Sequence, residues 1–250
     1  AGATTGGTKS LVLSLGEAVS GAPEAGDFAV TVNDVANAVT AVSLAGNGLS
    51  ITLTLTNFVT NSSTVAVAYT ANSDASKQLS DASGNTVASN SSLSSITVTN
   101  DTTAPTVSSV SSNTADGTYK IGDVIAIAVE LSEVVTVTGT PQLTLETGTT
   151  DRTADYASGS GTNTLVFNYT VQSGDATSDL AYTGSSSLAL NGGTILDNAN
   201  NSATLTLPTV GGTGSLSNTS AVVVDGVRPA FTAGATTGGT KSLVLSLGEA

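Results

Sequence analysis

The stretch AVTAVSLAGNGLSITLTL, residues 38–55, decides the fold. In its second half Ile51, Leu53 and Leu55 alternate with Ser50, Thr52 and Thr54, which turns one face to a core and the other to water. Between the two apolar runs stands Asn47-Gly48, the strongest short-range signal for a β-hairpin. Two strands joined this way are antiparallel, and the same pattern recurs in both directions along the chain.

Upstream lie KSLVLSL (9–15) and FAVTVN (28–33), and downstream STVAVAY (63–69) and SSITVTN (94–100), rich in the residues that suit a pleated, half-buried surface. A second series follows: PTVSSVS (105–111), the turn Ala115–Gly117, DVIAIAVEL (123–131), VVTVTG (134–139), QLTLET (142–147), TLVFNYTV (164–171), ATLTLP (203–208) and AVVVD (221–225). No stretch carries an amphipathic helix. Short strands at this density describe immunoglobulin-like sandwiches. The expected fold is all-β, with tandem immunoglobulin-like antiparallel β-sandwiches in an extended array.

Two junctions divide the chain. In TVTNDTTAPTVSSV (97–110) and AVVVDGVRPAFTAG (221–234) an apolar strand, an acidic turn and a proline follow in the same order. Proline is tolerated where a strand begins. The modules therefore fall at 1–102 and 103–227, and residues 228–250 open the next copy of the first. That next copy is literal: AGATTGGTKSLVLSLGEA occupies residues 1–18 and returns unchanged as residues 233–250. In the returning copy PAFTAGA (229–235) precedes KSLVLSL, so the first module at 1–102 is read as having its first strand cut off. A repeat of this length serves extension or valency more often than catalysis.

Composition narrows the chemistry. Hydrophobic residues make up 39% of the chain, enough for packed cores, and Cys, His, Met and Trp are absent. Zinc, haem and iron–sulfur sites, and nucleophile systems built on histidine, lose their ligands and bases. No enzyme is expected. With 19 acidic residues against 6 basic ones the net charge is −13, which repels nucleic acid and anionic membranes and attracts cations. No apolar run is long enough for membrane insertion.

The run IGDVIAIAVELSEVVTVTGTPQLTLETG (121–148), with GTNTLVFNYTVQSGD and LALNGGTILDNANNSATLTLP, resembles the immunoglobulin/cadherin-like tandem repeats of giant bacterial surface adhesins. The first module, with LSLGEAVSGAPEAGDFAVTVN, VAVAYTA and LSDASGNTVASNSS, resembles the repeat named after a cyanobacterial swimming-motility surface protein. These resemblances imply an extracellular, cell-surface, often calcium-loaded adhesin or filament repeat.

Strand parity places the loops after the second strand and before the last beside the incoming linker. In the first module those loops hold Glu17 and Asp27, then Asp81 and Asn85; in the second they hold Glu133, then Asp197 and Asn201. The linkers add Asp101 and Asp225, the latter facing Glu249, the copy of Glu17. Carboxylates and amide oxygens drawn from separate stretches suit Ca²⁺, which takes six to eight oxygen ligands. The competing reading is turn chemistry, because Asp caps turns while Gly and Asn accept left-handed backbone. Asn200 stands where the first module has Gly84. Asp151-Arg152 and Asp155-Tyr156 read as a solvated loop rather than a binding patch. Asp175 and Asp179 offer paired carboxylates with no cleft around them, and Asn61 and Asn168 head Asn-x-Ser/Thr triplets.

The leading expectation is a spacer or stalk repeat, rigidified by Ca²⁺ at its junctions, whose partners are neighbouring repeats or subunits. Two others stay open: a module binding glycans or another cell surface, and a filament subunit assembled by strand complementation.

Overall fold

The computed structural model describes residues 2–93, 96–236 and 243–247, with side chains as far as Phe231 apart from Ser91 and Ser92. Nearly all regular structure is strand. Among the described residues, helical structure is confined to a 3-10 turn at Ala25–Asp27 and a single α-turn, α1, at Leu216–Thr219. No helix among the described residues is long and apolar enough to cross a membrane. The chain divides into two compact units, residues 1–104 with 196–202, and residues 105–195 with 203–250.

The first unit contains β1 (Gly2–Thr5), β2 (Thr8–Ser14), β3 (Phe28–Val32), β4 (Val35–Ala36), β5 (Val39–Leu44), β6 (Ser50–Val59), β7 (Val65–Tyr69), β8 (Asn90–Leu93) and β9 (Ile96–Thr99). One sheet has the order β5-β6-β2-β1-β9 and the other β4-β3-β7-β8. Residues 38–55 belong to the β5–β6 hairpin, with Leu44 opposite Ile51 and Val42 opposite Leu53. Its loop is longer than a two-residue Asn-Gly turn: Ala45 N–H donates to Ser50 O and Gly48 N–H to Ala45 O, with Gly48 left-handed at φ +72°. The alternation resolves as read: Ile51, Leu53 and Leu55 are buried beside Leu11 and Leu13, and Phe28, Val30, Val67 and Tyr69 complete the core from the second sheet. Burying each such side chain is worth about 1.5–3 kcal/mol.

A strand precedes KSLVLSL in this chain. Residues Gly2–Thr5 form β1, antiparallel to β2 and parallel to β9. Its four residues alternate between buried and exposed, but Gly-Ala-Thr-Thr is too short and too small-chained for a periodicity signal.

The second unit contains β10 (Val107–Ser112), β11 (Gly117–Lys120), β12 (Val124–Thr138), β13 (Gln142–Glu146), β14 (Arg152–Ser158), β15 (Thr162–Thr170), β16 (Ala176–Thr177), β17 (Ala181–Tyr182), β18 (Leu188–Ala189), β19 (Thr194–Asp197, ending in the first unit) and β20 (Val222–Asp225). The larger sheet runs β10-β12-β15-β14-β13-β17, with β18 on β13 and β19 on β12, and the smaller is β11-β20-β16. Ile125, Ile127, Val129, Leu143, Leu145, Leu165, Phe167, Tyr169, Val222 and Val224 form its core.

Three expectations are corrected here. The runs 123–131 and 134–139 are one strand, β12, whose register against β15 shifts between Glu130 and Val135; a bulge absorbs the break in alternation. The supposed loop at Arg152–Ser158 is β14, held by both β13 and β15. ATLTLP forms only an isolated bridge from Thr204 to Thr106, because Leu207 N–H instead donates to Ser185 O. Beyond β20, β21 (Phe231–Thr236) pairs with β22 (Leu243–Leu247).

Candidate functional site

The site begins with a loop shape that occurs twice. In LSDASGN, Asp81 Oδ1 accepts the N–H groups of Ser83 (2.9 Å) and Asn85 (2.8 Å), and Oδ2 accepts Asn85 Nδ2 at 2.8 Å. In LDNANNS, Asp197 Oδ1 accepts the N–H groups of Ala199 and Asn201, both at 2.8 Å, and Oδ2 accepts Asn201 Nδ2 at 2.8 Å. Gly84 has φ +85° and Asn200 φ +72°, so Asn does take the left-handed backbone that Gly takes in the first loop. The two loops differ in burial. Asp81 is half exposed, whereas Asp197 is 3% exposed. Hydrogen bonds to its ionised form, first from the Asn85 side chain, hold the Asp81 carboxyl below its ordinary value.

The buried loop meets the end of the first module. Asn61, just after β6, pairs with the Asp101 backbone like a neighbouring strand: Oδ1 accepts Asp101 N–H at 2.8 Å, and Nδ2 donates to Asp101 O at 2.6 Å. The β1–β2 turn closes over this pairing. Gly6 leaves no room for a Cβ beside Asn61 Oδ1, and Gly7, at φ +81°, lies against Ala199. Asn201 Nδ2 donates to Asp101 O (3.0 Å) and Thr103 O (3.1 Å) as well as to Asp197. Carboxylate oxygens of Asp101 and Asp197 lie within 4.8 Å of each other. One carboxylate oxygen and two backbone carbonyls therefore face one amide nitrogen that has only two hydrogens to give.

The structure thus brings together Asp101, Asp197 and Asn201 of the expected ligands. Asp81 pairs with Asn85 in their own loop. Glu133 is half-buried on β12 in the second unit. Glu17 is exposed. Asp27 is buried and its oxygens are engaged, Oδ2 by Glu24 N–H at 2.8 Å and Oδ1 by Asn72 Nδ2 at 2.9 Å. Asp225 Oδ1 accepts Val227 N–H at 3.2 Å. Glu249 lies outside the described residues. Asn61 was missed as a site residue, since the Asn-Ser-Ser triplet carries no hint of a partner 40 positions away.

A second polar centre lies in the core of the second unit. Asp175 is 1% exposed; Oδ1 accepts Arg152 Nε at 2.8 Å, and Oδ2 accepts Tyr169 OH (2.6 Å) and Gln172 N–H (2.9 Å). Burial pushes this carboxyl up, but the hydrogen bonds and the Arg152 charge outweigh it, and the group sits below its usual value. Burial, and then the bond to Asp175, raise the Tyr169 phenol. With its lone pairs engaged Asp175 is structural, and the pairing with Asp179 does not make a catalytic dyad.

Residues 3–74 match the sequence profile of a putative flagellar system-associated repeat, the SWM repeat, in accord with the resemblance of the first module. A search of curated proteins found no match. Among solved structures, the N-terminal part of the bacterial S-layer protein SbsC is 14% identical with a TM-score of 0.33, over 66% of this chain and 42% of that one. A longer structure of the S-layer protein is 12% identical with a TM-score of 0.32, over 99% of this chain and 44% of that one. The chain therefore spans less than half the length of these proteins.

Proposed function

We propose that the chain is a structural repeat of an extracellular, cell-surface protein, without enzymatic activity, and that Ca²⁺ stiffens it around Asp101 and the Asp197–Asn201 loop. The observation that carries the reading is the surplus of oxygens at Asn201 Nδ2, where three acceptors lie within 3.1 Å. Turning that amide over would present Oδ1 in place of the two hydrogens. Asp101 and Asp197 supply charge, and such hard oxygen donors suit Ca²⁺. On the same pattern, Asp81 and Asn85 with Glu17 and Asp27, and Asp225 with Glu249, serve the neighbouring junctions. Partners are adjacent repeats of the same protein.

The match of residues 3–74 to a motility-associated repeat supports a surface location. Most aromatic residues favour a structural role over glycan binding: Phe28, Tyr69, Phe167, Tyr169 and Tyr182 are buried in cores, and exposed Phe58 is capped by Lys9 Nζ at 4.7 Å. Exposed Phe231 stands in a chain junction without a second ring beside it among the described residues. Sugar platforms need exposed rings. The test is a thermal melt with X-ray scattering in Ca²⁺ and in EDTA, on the natural chain and on an Asp101→Asn/Asp197→Asn variant. A higher Tm and a narrower spread of dimensions in Ca²⁺, both lost in the variant, are expected. Identical curves would return these loops to turn chemistry.

A further inference from the structure

Between the two sheets of the first unit lies a mostly apolar cavity of about 180 Å³, walled by Leu13, Phe28, Ile51 and Tyr69 among others, with Ser14 and Asn90 as its polar lining. An apolar space of about 150 Å³ stays dry and accepts benzene. This one has room for a phenyl ring. It sits where β1 begins: a Cβ on Gly2 would come within 2.9 Å of Leu13 Cδ2 and press on Ile96, and both side chains line the cavity.

The second copy of the repeated 18 residues shows what enters the equivalent strand there. In the second copy Gly234, Ala235 and Thr236 pair with Leu245, Val244 and Leu243, the register of Gly2, Ala3 and Thr4 on Leu13, Val12 and Leu11. β21, however, starts earlier, at Phe231. Its register shifts between Phe231 and Ala233, so that Ala233 pairs with Ser246 and Phe231 with Leu247. The extra residue matters. Counting back from Gly2 by twos, a residue at the Phe231 position would fall on the outer face; the bulge moves it to the inner one, opposite the copy of Leu15. Leu15 itself lines the cavity, and Phe231 is 69% exposed.

We propose that this cavity is the seat of a phenylalanine delivered by the segment Arg-Pro-Ala-Phe-Thr of a preceding repeat, running on into β1 as residues 228–232 run into the second copy. The inference rests on reading the chain as a stretch of a tandem array. Each first-type sandwich would then be completed by the tail of the linker entering it, and a linker whose ring is buried in the next module cannot swivel freely. Packing then fixes the entry direction independently of any cation.

The test compares the 250-residue chain with the same chain carrying Gly-Val-Arg-Pro-Ala-Phe-Thr ahead of Ala1, and with that extension bearing serine for its phenylalanine. Differential scanning calorimetry should show the first unit's Tm rise by about 10 °C with the extension, and most of the gain lost with serine. Benzene should raise the Tm of the unextended and serine forms but not of the phenylalanine form. No gain, or an equal gain with serine, overturns the proposal. So does dimerisation of the unextended chain that removes its response to benzene, since the occupant is then a second copy. An extension that docks in a chain indifferent to Ca²⁺ would leave the seat standing and remove the calcium site; the converse result would do the reverse.

Discussion

Asp175 shows how this chain tolerates a charge in a core. A lone carboxylate there would be untenable, and three donors make it structural. The signs of the two shifts fix a pH window. Asp175 titrates below its unfolded value, so its contribution is complete above about pH 4 and is lost as pH falls through the folded value. Tyr169 titrates above its unfolded value, so its contribution is complete below about pH 10 and is lost as pH rises beyond it. The second unit should therefore hold a plateau of stability between these limits, measured by urea unfolding across pH. Asp175→Ala should lower the plateau by about 3 kcal/mol, because Arg152 loses its partner while keeping some access to water. An unchanged plateau would mean that Arg152 is already solvated in the native state.

At the scale of elements, the strands that could be read from the sequence are those with strict alternation. Leu53 and Ile51 announced their burial because Thr and Ser separate them; β14 was hidden because Arg-Thr-Ala-Asp-Tyr-Ala has one buried residue, Ala154, and takes its order from neighbours on both sides. The Asp197–Asn201 loop was legible because its chemistry is local: an aspartate, two backbone donors and an amide within five residues. Asn61 was not, since its partner is a backbone that only the fold brings near. That long-range bracket makes its own prediction. Asn61→Ala removes a two-point pairing with Asp101 and should cost about 2 kcal/mol in urea melts. Gly6→Ala should cost a similar amount, because its methyl displaces Asn61 Oδ1. In the Asn61→Ala background the same Gly6→Ala change should cost almost nothing, leaving a coupling energy of the order of either single effect. Simple additivity would show that Gly6 matters through its backbone and not through Asn61.

For the whole molecule, the question is whether cations act through a site or through the field. A net charge of −13 opposes compaction, and any salt relieves it. At 0.1 M ionic strength the screening length is about 10 Å, so sodium chloride alone should raise the Tm smoothly and without saturation at low concentration. A bound Ca²⁺ behaves differently. If the dissociation constant lies near 10⁻⁴ M, as for extracellular modules, 10 mM Ca²⁺ is about 100-fold in excess and adds about 2.7 kcal/mol to the unit that holds it. The expected result is a saturable rise in Tm of about 10 °C over a sodium chloride control of equal ionic strength. Mg²⁺ should give little of it, because it demands tighter octahedral geometry and sheds water reluctantly. Equal curves for Ca²⁺, Mg²⁺ and matched sodium chloride would assign the whole effect to screening. The oxygens around Asn201 would then be a hydrogen-bonded clasp, complete without an ion.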